Sequence, residues 1–389
     1  GGDSAARRKA ALLQAASGEA GIVVGTHALL QEQVQFADLG LVVVDEQHRF
    51  GVEQRDALRD KAKHSPHMLV MTATPIPRTV AMTVFGDMDT SVLRELPAGR
   101  APIQTTIVDN PRWYERAWQR VAEEAAAGRQ TYVVCPRIGD EPGGADGFEE
   151  IVESLTDDWD PWAEAGVGDR RWDERGNLAR DPRPPMRGVL EVQRELVSNP
   201  ALAGLRLDVL HGRMTAEEKD AKMADFAAGR TDVLVSTTVI EVGVDIANAT
   251  VMVVMDADRF GVSQLHQLRG RVGRGGLPGL CLLVVNDPPE SARERIDAVA
   301  ATTDGFELSR HDLRSRREGN ILGASQSGRR SALRVLSLTG RDDEQIIELA
   351  REDASAIVAA DASLSEFPDL FRILHDRLDE TQVDYLGKG

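Results

Sequence analysis

Short apolar runs without polar alternation recur along this chain, each stopped by a cluster of polar residues. Leu41 to Val44 (LVVV) halts at Asp45-Glu46, Met68 to Met71 at Thr72-Ala73-Thr74-Pro75, and Gly21 to Val24 (GIVV) at Gly25-Thr26-His27. A strand that is apolar on both faces needs cover on both, the condition of a parallel sheet flanked by helices. The polar endings then mark the carboxyl ends of strands, where open α/β sheets bind ligands, so the three endings are expected to share one rim. After a predicted helix over Tyr114 to Ala127 the pattern resumes, with strands expected over Thr131 to Cys135, Leu207 to Leu210, Val233 to Ser236, Val251 to Met255 and Leu280 to Val285. Helices are expected over residues 5 to 16, Glu217 to Phe226 and Ser263 to Leu268. The fold class is α/β, with parallel-sheet domains over 1–100 and 101–285 and a mainly helical region over 286–389. The Gly- and Pro-punctuated stretch Pro97 to Asn110, with a short TTIV strand, reads as the connection between the two domains.

Charge is distributed unevenly. The formal net charge is −17, which argues against coating an anionic polymer with the whole surface and requires any nucleic acid to meet a local basic feature. One such feature lies between Glu307 and Arg334, where Arg310, Arg314, Arg316, Arg317, Arg329, Arg330 and Arg334 face three acids; from Asp342 onward thirteen acids face four bases. Residues 139 to 187 hold fourteen acidic and six basic side chains around Trp159, Trp162 and Trp172. They read as a partly disordered surface insertion, its tryptophans packing onto the host or forming a docking patch. Cys135 and Cys281 sit in apolar runs and are expected as free buried thiols. Neither a secretory leader nor an apolar stretch of about 18 residues is evident, so a cytoplasmic location is expected.

Three constellations carry chemistry. Asp45 and Glu46 follow a buried strand, so that Asp45 would hold Mg2+ while Glu46 orients and deprotonates a water; taken alone, a helix N-cap accounts for the pair equally well. In QLHQLRGRVGRGG, Gln264, Gln267 and Arg271 follow i, i+3, i+7 spacing on one helix face, with Arg274 a turn further if the helix continues. Guanidinium forks suit the charge on a transferring phosphoryl group, and Gly270, Gly273, Gly275 and Gly276 would let backbone approach closely or end the helix. A basic helix touching nucleic acid is the alternative. Finally, Ser236-Thr237-Thr238 ends a strand and is followed by Glu241, Gly243 and Asp245, where hydroxyls and backbone N–H groups suit phosphate oxygens and Asp245 a ribose or an arginine.

In order, VVGTHALL (23 to 30), VVVDEQHRFG (42 to 51), TATPIPRT (72 to 79), VLHGRM (209 to 214), STTVIEVGVDI (236 to 246) and QLHQLRGRVGRG (264 to 275) resemble the motifs of superfamily 2 helicases. DEQHRFG followed by TATPIPRT is the form shared by the RecG helicases and the transcription-repair coupling factors. RREGNILG (316 to 323) with Gln326-Ser327-Gly328 resembles the translocation motif of both, and the short helical tail after it favours RecG. The resemblance implies two RecA-like domains, the first truncated, with ATP and Mg2+ as cofactors. Asp45 and Glu46 would serve Mg2+ and water, Gln267 would sense nucleotide, and Arg271 and Arg274 would act on ATP across the domain cleft. Thr72 and Thr74 would couple nucleotide to DNA, and Arg310, Arg314, Arg317 and Gln326 would turn cleft closure into duplex movement. Branched double-stranded DNA is the implied partner, a single-stranded-DNA-binding protein a further one, and the nucleoid the implied setting. The sequence departs from the pattern in lacking GxxxxGK(S/T), its one Gly-Lys pair being Gly387-Lys388. A phosphate-binding loop and a wedge domain are expected in a missing amino-terminal portion of the same enzyme, without which this fragment is expected to be inactive. A coupling-factor motor and a non-catalytic nucleic-acid scaffold are the alternatives.

Overall fold

The computed structural model describes residues 5–31, 33–45, 58, 61–62, 64–72, 91–93, 95, 101–139, 186–238, 246–315 and 341–377. The chain divides into two compact units, one formed mainly by Gly1–Ala73 with Ala350–Gly389, the other running in its main parts from Thr74 to Leu349.

In the first unit, helix α1 (Ala5–Ser17) precedes a two-stranded parallel sheet of β1 (Leu41–Val44) and β2 (His67–Val70), with Val44 opposite Val70. One face of this sheet packs on a small core of Val42, Val44 and Leu58, with Leu30, Leu39, Met68 and Val70 around it. Its other face, Leu41, Val43 and Leu69, with Met71 just beyond β2, is exposed. The sequence reading expected cover on both faces, and among the described residues the cover is one-sided. Gly21 to Val24, expected as a buried strand, is not one: Ile22 is 87% and Val24 91% exposed. A segment without a partner strand leaves its N–H and C=O groups to water, and the described sheet of this unit contains only β1 and β2.

The second unit is built on a six-stranded, all-parallel sheet in the order β3-β8-β7-β4-β6-β5. Its strands are β3 (Ile103–Val108), β4 (Gln130–Val134), β5 (Leu207–Leu210), β6 (Val233–Ser236), β7 (Ala249–Val254) and β8 (Gly279–Val284). The helices between and after them are α2 (Pro111–Ala126), α3 (Val189–Val197), α4 (Ala216–Ala227), α5 (Val262–Arg269), α6 (Glu290–Ala301) and α7 (Gly305–Ser315). Alternation sorts the apolar strands between two cores. Val133, Val235, Val251 and Val253 face Trp118, Val121, Val192 and Leu196 from α2 and α3. Tyr132, Leu234, Met252, Val254 and Leu283 face Phe226, Leu265, Leu268, Ile296 and Leu308 from α4 to α7. The sequence could not reveal this division, because both faces are apolar. The supposed connection before Asn110 is a correction: β3 pairs with β8 along its whole length and forms an edge of the sheet. Its Thr105 and Thr106 lowered its apolar signal, while an edge strand needs less cover than a central one. Asn110, whose side chain accepts from Trp113 N at 3.0 Å, caps α2.

Both cysteines are free and buried. Burial pushes the Cys281 thiol up to about 12, with the Arg269 charge opposing it. Helices α8 (Arg341–Ala360) and α9 (Pro368–Arg377) make up the described carboxyl-terminal segment. Among the described residues no helix is long and apolar enough to cross a membrane.

Candidate functional site

In the first unit, parallel pairing puts the predicted acid and threonine at the same end of neighbouring strands. Met71 N donates to Val44 O at 2.8 Å, so Asp45 follows β1 where Met71-Thr72 follows β2. Asp45 is exposed and Thr72 half-buried. Two of the three expected strand endings thus share a rim. Glu46 and Thr74 lie outside the described residues.

In the second unit the strand order reverses at β4, which has β6 on one side and β7 on the other, and the carboxyl rim at such a point is where ligands bind in open sheets. Ser236 and Thr237, at the end of β6, stand on this rim with both side chains buried and, among the described residues, no hydrogen-bond partner on either hydroxyl. At the end of β5, His211 also has a buried Nδ1 without a partner among the described residues. Its pKa is lowered by burial first, then by Arg213 and Lys219, which keeps the ring neutral at physiological pH. The sequence reading had passed over His211; its position in HGRM at a strand end was the available signal. Gly243 and Asp245 lie outside the described residues.

The arginine-rich motif differs from its expected form. Helix α5 stops at Arg269, with Gly270 as its cap, so Arg271 and Arg274 stand on a loop rather than on a continued helix face. The cause is local: Gly273 and Gly276 both have φ of 75°, a left-handed conformation that continues no helix. A side chain at Gly275 would collide with the backbone carbonyl of Ala247. That contact seats the loop against the residue that follows the STTVIEVGVDI segment, bringing two of the predicted motifs together. Gln264 is committed to the start of its own helix, its Oε1 accepting from Gly261 N at 3.1 Å. Gln267 and Arg271 are half-buried, and Arg274 is exposed, its Nε donating to Gly270 O at 2.9 Å.

Arg269 went unnoticed between these candidates. Only 2% exposed, it donates from Nη1 to Val299 O at 2.6 Å and Thr302 O at 2.8 Å, and its Nη2 lies 2.8 Å from His266 Nδ1. Arg310 is exposed on α7, where its Nε reaches Phe306 O at 3.4 Å. The backbone of Arg314 belongs to α7; Arg317 and Gln326 lie outside the described residues.

A separate cavity of about 370 Å3 opens at the carboxyl ends of β3, β7 and β8, lined by Asp109, Tyr114, Arg187, Asp256, Asp258 and Arg259 among others. It contains none of the predicted site residues. Its charges are already paired: Asp109 with Arg293 outside the lining at 3.0 Å, Asp256 with Arg187 at 3.4 Å and Asp258 with Arg259 at 3.4 Å.

Comparison with known proteins agrees with these features. Residues 1–83 match the DEAD/DEAH box helicase model and residues 187–276 the helicase conserved C-terminal domain. The chain is 53% identical to the ATP-dependent DNA helicase RecG of Mycobacterium tuberculosis strain H37Rv over 90% of its own length and 44% of that protein. It is 42% identical to RecG of Bacillus subtilis strain 168 over 96% of its length and 48% of that protein. A structure described as RecG bound to a three-way DNA junction aligns at 34% identity and a TM-score of 0.57, covering 90% of this chain and 38% of that one. The chain therefore spans about half the length of the curated relatives it matches.

Proposed function

The sequence being of the RecG type of superfamily 2 helicase, we propose that this chain is the motor portion of an ATP-dependent DNA helicase, one that moves on duplex DNA and remodels branches such as replication forks and Holliday junctions. The observation that carries the reading is the loop after α5, where glycine geometry holds Arg271 and Arg274 just beyond a helix end. Fixed cationic forks stabilise charge on a transferring phosphoryl group without reorganising when it develops.

The remaining roles follow the same chemistry. A Mg2+ ion held through nucleotide phosphates needs only one or two protein carboxylates. Asp45, exposed at the end of β1, fits that demand, and among the described residues no cluster of three or more acidic, His or Cys side chains would hold an ion by itself. When bound with ATP, Mg2+ supplies charge neutralisation. Glu46 takes the proton of the attacking water, Gln267 senses nucleotide, and Gly243 and Asp245 border it. Thr72, Thr74, Arg310, Arg314, Arg317 and Gln326 link hydrolysis to DNA movement. The exposed face of β1 and β2 is covered, in this reading, by the amino-terminal portion of the same enzyme, which also brings the phosphate-binding loop.

The test compares this chain with the complete protein on a forked duplex. The complete protein is expected to release phosphate at about 1 per second or faster, dependent on DNA, and this chain only at background. DNA-dependent turnover at that rate by this chain alone, abolished by Glu46→Gln, would contradict the assignment of an incomplete motor. A complete protein that hydrolyses ATP but remodels no fork would contradict the branched-DNA reading.

A further inference from the structure

Arg269 has no part in the roles above, yet its guanidinium is the most completely buried cation among the described residues. Its three near partners explain how the charge is tolerated. Val299 O lies in the last turn of α6 and Thr302 is that helix's cap, so Arg269 supplies a cation to carbonyls at a helix carboxyl end. Such ends favour positive charge and leave their last carbonyls without helical partners. Helix α6 has no basic residue in its own last turn, and the cation comes from α5 instead.

The same turn begins the next helix. Asp304 N donates to the Thr302 hydroxyl at 3.1 Å, Asp304 Oδ1 accepts from Phe306 N at 2.8 Å, and α7 starts at Gly305. Helix α7 packs on both α5 and α6 and carries Arg310. The arginine loop is pinned separately, by Gly275 on Ala247 and by Gly273, where a side chain would press on Ile103 of β3. Loss of Arg269 therefore leaves the loop seated and releases the turn between α6 and α7.

We propose that Arg269 is a positioning residue: it clamps the end of α5, next to Arg271 and Arg274, to the α6–α7 turn, so that movement at the arginine loop is passed to α7. This rests on the helicase reading of the previous section. The clamp is testable in this chain by amide hydrogen exchange. Arg269→Met is expected to speed exchange at least about tenfold over residues 303–308, with β8 unaffected and Arg269→Lys intermediate. Its functional half is tested in the complete protein by base pairs opened per ATP hydrolysed on a forked duplex. Arg269→Met is expected to lower that ratio about tenfold while hydrolysis stays within about threefold. Should Arg269→Met not fold, Arg269→Lys serves for both measurements.

Unchanged exchange over 303–308 would overturn the clamp. Hydrolysis and unwinding falling by the same factor would overturn the coupling role, because a merely structural loss removes active molecules without changing the ratio. If the unsubstituted complete protein showed no DNA-dependent hydrolysis, the helicase reading and the coupling role would fall together, while the exchange measurement would still decide the clamp.

Discussion

The two parallel sheets of this chain are written in nearly the same letters and end in opposite conditions. In β6, VLVS is buried at every position; in β1, LVVV is buried at every second one. What differs is the supply of neighbours: α2 to α7 cover both faces of the six-stranded sheet, whereas the described part of the two-stranded sheet has a core on one side. An apolar run states that a strand needs cover. It does not state where the cover comes from, and among the described residues half of it is missing for β1 and β2.

The sharpest way to break that contrast is the same substitution in both sheets. Leu283→Ala on β8, a fully buried position, is expected to cost about 2–5 kcal/mol in denaturant unfolding. Gly275→Ala comes next at about 1–3 kcal/mol, because the neighbour it meets is backbone that cannot turn aside. Glu124→Gln follows at about 1–2 kcal/mol. The buried Glu124 carboxylate has burial raising its pKa, but the Thr250 hydroxyl, Arg129 and Arg120 outweigh it and hold it below its ordinary value. A depressed carboxyl contributes fully above the unfolded pKa near 4.5 and loses that contribution as pH falls through the folded one. The gap between Glu124→Gln and the unsubstituted chain should therefore begin to narrow as the pH falls below 4.5 in unfolding measured against pH. Leu69→Ala, at 51% exposure, is expected to cost less than about 0.5 kcal/mol. A cost equal to that of Leu283→Ala would mean that the open face of β1 and β2 is already covered in this chain.

Much of this architecture was legible beforehand, and the failures have identifiable causes. The bounds of β1, β5 and β6 were read correctly because each run is mainly apolar and is followed by polar residues. GIVV has the same composition but no partner strand among the described residues, and pairing is not written in a four-residue window. The threonines of β3 hid an edge strand. At the candidate site, i, i+3, i+7 spacing suggested a helix through Arg271, while Gly273 and Gly276 had already signalled its end. Arg269 was illegible for another reason: three arginines in LRGRVGR look alike, and only the packing of α5 on α6 turns one inward.

In the proposed motor the arginine loop acts on the reaction rather than on binding. Steady-state hydrolysis by the complete protein carrying Arg274→Ala, at saturating forked DNA, tests this directly. Removing a donor that meets charge developing in the transition state is expected to lower kcat about a hundredfold with KM nearly unchanged. An unaltered kcat with a raised KM would contradict it, making Arg274 a contact for bound nucleotide alone.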